Sequence, residues 1–172
     1  NLFLWGALPY IAFTFLIVGT LVRFFYFERN WTTKSSEFLE KKQLRIANPL
    51  FHFGLLCVIG GHVVGVLIPK TWTAAIGIND HMYHEGALYM GAVAGIIFIV
   101  GFLLLMKRRF TVPAMKVNTS GFDKWLYLFL TLTIFSGMAG TLLNASGFFD
   151  YRVSIGPWFR SLLSFMPDPS LM

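Results

Sequence analysis

The chain has 172 residues, of which 56% are hydrophobic, 17% aromatic and only 13% charged, against about 25% charged in an average soluble domain. Its mean hydropathy is +0.65, and a soluble domain of this length has no core large enough to hide that much apolar surface. The net charge of +6 does not indicate a nucleic-acid partner, because the basic residues lie between apolar stretches, where membrane topology accounts for them.

Four apolar stretches of about 20 residues have the length a bilayer requires. The expected fold is all-α: an integral membrane bundle of four transmembrane helices in a single domain. The first span covers roughly 2–25, with Trp5 and Tyr10 at one end and Phe24, Phe25 and Tyr26 at the other, as an interfacial aromatic belt requires. In the polar segment that follows, Ser35 or Ser36 is expected to cap a short helix, and Glu37 and Lys41 form a favourable pair four residues apart. The second span covers about 50–68, between Pro49, suited to a first helical turn, and Pro69, which ends the helix. The third and fourth spans cover about 87–106 and 125–143, and the tail 144–172 holds a short amphipathic helix near Trp158 to Phe165. No internal repeat or separate soluble domain is present. The chain opens at Asn1 rather than Met, so a few residues are expected to precede it, and its first apolar stretch lacks a cleavable signal pattern. The single cysteine, Cys57, lies in an apolar run and forms no intrachain disulfide.

Orientation follows from the loops. The first holds Arg29, Lys34, Lys41, Lys42 and Arg45, and the third holds Lys107, Arg108, Arg109 and Lys116, whereas the second holds only Lys70 and the tail Arg152 and Arg160. Loops one and three are therefore expected in the cytoplasm, with the N-terminus, loop two and the tail outside.

The second span carries His52 and His62 inside an apolar helix. A buried ionisable group in a membrane is costly, so such residues point to function. Ten residues place them about 15 Å apart along the helix and about 80° apart around it. His52 is then nearer the cytoplasmic face and His62 nearer the outer face. Neutral imidazole ligates iron, and two levels in one membrane suit two haems. Gly60, Gly61 and Gly65 flank His62; they either make room for a porphyrin or permit close helix packing. His81 and His84, three residues apart in the outer loop, lack further ligands to complete a metal set, and read as solvated interfacial groups or as proton acceptors for a quinol above His62. Arg108 and Arg109 are membrane anchors by default, or partners of haem propionates or of a cytoplasmic protein. Asn144, Asp150 and Arg152 have no evident role. No nucleophile–base set, phosphate loop or nucleotide fingerprint is present, so the chain is not an enzyme by itself.

At these residues the chain resembles a known family. Leu50 to Pro69 resembles the second helix of the gamma subunit, a cytochrome b, of bacterial membrane-bound respiratory nitrate reductase. Trp31-Thr32-Thr33-Lys34-Ser35-Ser36, Lys107-Arg108-Arg109, and Phe149-Asp150-Tyr151-Arg152 onward to Met172 are similar to it as well. The resemblance implies five helices in the cytoplasmic membrane, two b haems, and oxidation of menaquinol or ubiquinol near the outer face. Electrons then pass to an iron–sulfur beta subunit and a molybdenum alpha subunit. It implies His52 and His62 as axial iron ligands, and His62, Gly61 and the His81 region as the quinol site. The family's opposing ligands sit on a fifth helix, so this chain is expected to offer one axial histidine per haem. Related cytochromes b of sulfur-cycle and heterodisulfide-reductase complexes share the two-histidine helix. The rival reading is a non-haem anchor or transporter, with the histidines as a proton path or as interhelical hydrogen bonds; its spans should be more polar than these.

Overall fold

The computed structural model describes residues 1–27, 38–148 and 150–172, all helical or irregular, with no strand among them. Four helices are long and apolar enough to cross a membrane: Phe3–Tyr26, Lys42–Leu67, Asp80–Thr111 and Gly121–Ala145. Within them, α1 is Leu8–Tyr26, entered through a π turn, and α2 is Lys42–His62, continued by a π turn over Val63–Leu67. The short α3 (Lys70–Ala75) leads into α4 (Asp80–Thr111); the short α5 (Pro113–Val117) leads into α6 (Gly121–Ala145); and α7 (Ile155–Leu163) lies in the tail.

The long helices outrun their apolar cores. Lys42 to Asn48 is too polar for a hydropathy window yet is helical, so Pro49 lies inside α2 and not in its first turn as expected. Its missing N–H leaves the Arg45 carbonyl without an intrahelical donor, a small cost at the polar end of the helix. α4 begins at Asp80, seven residues before the expected span, because the Asn79 side chain accepts a hydrogen bond from the Met82 N–H at 2.8 Å. His81 and His84 are therefore in the opening turns of a helix and not in a loop. Its 32 residues span about 48 Å, more than the roughly 30 Å hydrocarbon layer. Pro69, with ψ of 153°, ends the second span as expected. A reciprocal capping box between Ser120 and Asp123 starts α6. α7 starts three residues before the expected amphipathic segment. Ser35, Ser36 and Glu37, and with them the expected cap and the Glu37–Lys41 pair, lie outside the described residues.

The tight core is the seam between α2 and α4. A Cβ added to Gly54 would lie 2.6 Å from the Phe98 Cα, and one added to Gly101 would lie 2.6 Å from the Phe51 Cα. Glycine is required at both positions for the backbones to approach this closely. Phe51 meets Phe98 with ring centroids 5.1 Å apart, and Phe102 continues the aromatic contact to Tyr127 of α6. α1 has no buried residue, and in α6 only Asn144 is buried; their apolar faces are left for lipid or neighbouring helices.

Polar contacts group the connections into two ends. At one end Arg108 and Arg109 of α4 pair with Glu40 and Asp123. At the other, Lys70 pairs with Asp150, Tyr10 donates to the Leu162 carbonyl, and the Trp158 indole donates to the Trp5 carbonyl. This is the grouping that the alternating loop charges predict.

Candidate haem-ligating helix and its cap

His52 and His62 both lie on the exposed side of α2. Measured around the helix from Gly54 in the α4 seam, they are about 160° and 80° away, so neither points into the packed interface. Their Nδ1 atoms lie 2.9 Å from the Asn48 carbonyl and 2.7 Å from the Val58 carbonyl, each one turn earlier. A carbonyl only accepts, so Nδ1 is the protonated nitrogen in both rings. The neutral imidazole then carries its lone pair on Nε2, and neither Nε2 has a hydrogen-bond partner among the described residues. A donated Nδ1–H with an open Nε2 is the arrangement in which histidine ligates metal. It fits a haem that takes one axial ligand from this helix at each level. Among the described residues no three His, Cys, Asp or Glu side chains gather into a metal-binding group.

The glycines divide. Gly60 and Gly61 face open space, leaving room beside His62, whereas a Cβ on Gly65 would lie 3.0 Å from the Tyr151 ring. Gly65 therefore serves close packing, with the tail as its partner. His81 is exposed and lies 3.8 Å from Glu85, and His84 is half-buried.

Asp150 and Arg152, to which sequence reasoning assigns nothing, organise the cap at the Lys70 end of the bundle. Arg152 is only 7% exposed. Its Nη2 donates to Thr73 Oγ1 at 3.0 Å, its Nη1 lies 3.5 Å from Asp80, and its guanidinium sits 3.6 Å above the Tyr83 ring. Asp150 accepts from the Arg152 backbone N–H and pairs with Lys70 at 3.2 Å. Burial raises the Tyr151 hydroxyl well above the ordinary tyrosine value, and the neighbouring Tyr83 adds to the effect. Arg160 Nη1 donates to the Val66 carbonyl at 2.7 Å, in the π turn that follows His62. A charged Asp-x-Arg in a largely apolar tail was the available signal; the partners of Arg152, more than 70 residues away, were not.

At the opposite end Arg108, 4% exposed, donates from Nε to Glu40 Oε2 at 2.8 Å and from Nη2 to the Glu40 carbonyl at 2.6 Å. The Gln43 backbone N–H holds the Glu40 carboxyl below its ordinary value; burial opposes it, and Arg108 adds to the lowering. Arg109 binds Asp123 at 2.5 Å. Both guanidiniums, which the sequence offers as membrane anchors by default or as partners of haem propionates or of a cytoplasmic protein, pair here with carboxylates of the chain itself and tie α4 to the start of α2 and of α6.

The family model described as the nitrate reductase gamma subunit matches residues 1–172. The chain belongs to that family. It is 46% identical over 170 residues to the nitrate reductase gamma chain of Bacillus subtilis, covering 98% of this chain and 76% of that protein. It is 39% identical to the nitrate reductase-like protein NarX of Mycobacterium tuberculosis over 98% of this chain but 26% of that protein. To the respiratory nitrate reductase 1 gamma chain of Escherichia coli it is 31% identical, over 83% of this chain and 61% of that one. As a gamma-subunit family member with four membrane-length helices, the chain is a membrane protein and a subunit of an oxidoreductase complex.

Proposed function

We propose that the chain is the haem b electron-transfer subunit of a nitrate reductase, oxidising quinol near the outer membrane face and delivering electrons towards cytoplasmic iron–sulfur beta and molybdenum alpha subunits. The observation that carries this reading is the paired geometry of His52 and His62: one helix, two levels, each Nδ1–H held by its own backbone and each Nε2 turned outward. Haem, when bound, supplies reversible one-electron chemistry within the bilayer. The helix backbone fixes the tautomer and ring orientation of both ligands before any iron arrives. Gly60 and Gly61 leave open surface beside His62, and Gly61, His62 and His81 form the region assigned to quinol. His81, exposed at the start of α4, is placed to take up a proton near the outer surface. The orientation adopted, with the N-terminus outside in the cytoplasmic membrane of a bacterium, rests on the basic residues of loops one and three.

The test is a reduced-minus-oxidised spectrum with a pyridine haemochrome assay on the assembled complex. His52→Leu and His62→Leu should each remove one haem of the two. Spectra unchanged in both variants would refute the ligand assignment, and a complex whose gamma chain holds no haem would favour a membrane anchor.

A further inference from the structure

We infer that Arg152 is a positioning residue for the outer end of the histidine helix, acting through the tail on the surroundings of His62. The inference rests on the reading of His62 as a haem ligand and adds a residue that does not itself touch the ligand. Two contacts converge on the last turns of the α2 span, just after His62: the Tyr151 ring packs on Gly65, and Arg160 donates to the Val66 carbonyl. Within the tail, the Gly156 N–H donates to the Tyr151 carbonyl at 2.7 Å and links the two contacting residues. The tail thus closes over a stretch of helix whose π turn leaves its backbone less regularly paired than an α-helix would.

What holds the tail in place is Arg152. Next to Tyr151 in sequence, it reaches α3 through Thr73, α4 through Asp80 and the Tyr83 ring, and by its own backbone N–H it orders Asp150, which binds Lys70. Three segments, α3, α4 and the tail, therefore meet at Arg152, which is 7% exposed. Its Nε is buried without an acceptor among the described residues, so the group is held by its aromatic and hydroxyl partners and not by full pairing with carboxylates. Removing the guanidinium takes one of its two cations from Asp80, leaving Lys70 at 3.6 Å, while Asp150 keeps Lys70 and the backbone N–H of residue 152; with the side-chain anchor gone, Tyr151 is released from its place over Gly65. The Arg108–Glu40 contact, at the other end of α2, is untouched by this change.

The experiment compares Arg152→Met and Arg152→Lys with the native chain in the assembled complex, using His62→Leu and His52→Leu to assign the two haem signals. In Arg152→Met the haem signal lost in His62→Leu should titrate at a shifted potential, and the KM for quinol should rise several-fold, with the His52-dependent haem unmoved. Arg152→Lys, which keeps the cation over Tyr83, should recover part of both changes. Equal shifts in both haems, or none, would overturn the inference. If Arg152→Met fails to assemble, Thr73→Val decides: it deletes one hydrogen bond, and a shift confined to the His62-dependent haem supports the inference while an unmoved haem overturns it. If His62→Leu retains both haems, the underlying ligand reading fails instead, a result distinct from any produced by the Arg152 variants.

Discussion

Replacing Gly101 by alanine tests the α2–α4 seam directly. The new methyl carbon would lie 2.6 Å from the Phe51 Cα, whereas carbon atoms rest about 3.5–4.0 Å apart. The obstacle is backbone, which cannot rotate away, so α2 and α4 must separate by roughly 1 Å. Forcing an extra methyl into a packed interface costs about 1–3 kcal/mol. The usual gain of alanine over glycine in helix propensity, about 1 kcal/mol in water, offsets little here, since a membrane helix keeps its backbone bonds even when its partners leave. Gly91→Ala is the matched control: it lies on the same helix, ten residues earlier, and its new carbon meets nothing within 4 Å. Thermal unfolding in detergent, followed by circular dichroism or by fluorescence-detected size exclusion, should show Gly101→Ala melting several degrees below the native chain and Gly91→Ala melting with it. Because Phe51 precedes His52, the separation should also weaken haem retention at the inner level before the outer one. Equal melting of the two variants would refute the claim that this seam is the core.

Glu40→Gln should loosen the contact between the start of α2 and the end of α4. The Glu40 carboxyl is held below its ordinary value of 4.5, so its contribution is complete above that value and is lost as pH falls through the lowered one. The difference in melting temperature between native chain and variant, measured across acid pH, should therefore be full near neutrality and shrink only below pH 4.5; a difference growing with acidity would contradict the assignment. Gly147→Ala should destabilise the end of α6 by about 1–2 kcal/mol, because Gly147 has φ of 74° and its N–H bonds back to the Asn144 carbonyl. Gly147→Asn should cost less in the same melts, since asparagine tolerates this conformation better.

The four spans were readable because long apolar runs leave a membrane helix as the only way to satisfy the backbone. The bounds of the first span and the Pro69 end of the second were readable as well; the polar starts of the second and third helices were not, for one shared reason. Hydropathy sees the part of a helix inside lipid, so Lys42 to Asn48 and Asp80 to Gly86 were assigned to loops although both are helical. Asn79 was a usable start signal for α4, a capping side chain ahead of Asp80. His52 and His62 stood out as the only strongly polar residues of their span. Their tautomer follows from helix geometry, since a carbonyl one turn back lies within reach of Nδ1. Asp150 and Arg152 were opaque for a different reason: a charge in a tail reveals its role only when chain topology brings Thr73, Asp80 and Tyr83 to it. The glycines could not be sorted by sequence either. Gly65 and Gly61 look alike in the chain, yet one lies under a tyrosine ring and the other borders open space.

The two imidazoles are carried by one unbroken helical segment, with the π turn beginning only after His62. Their separation along the membrane normal is thus a property of a single rod, set by helical rise and tilt, and is insulated from rearrangements between neighbouring helices. Electron tunnelling falls steeply with distance, so two haems held on these imidazoles, as proposed above, would keep that spacing when the surrounding bilayer thins, thickens or changes composition. Such changes can tip the rod, and with it both imidazoles, but they cannot stretch it.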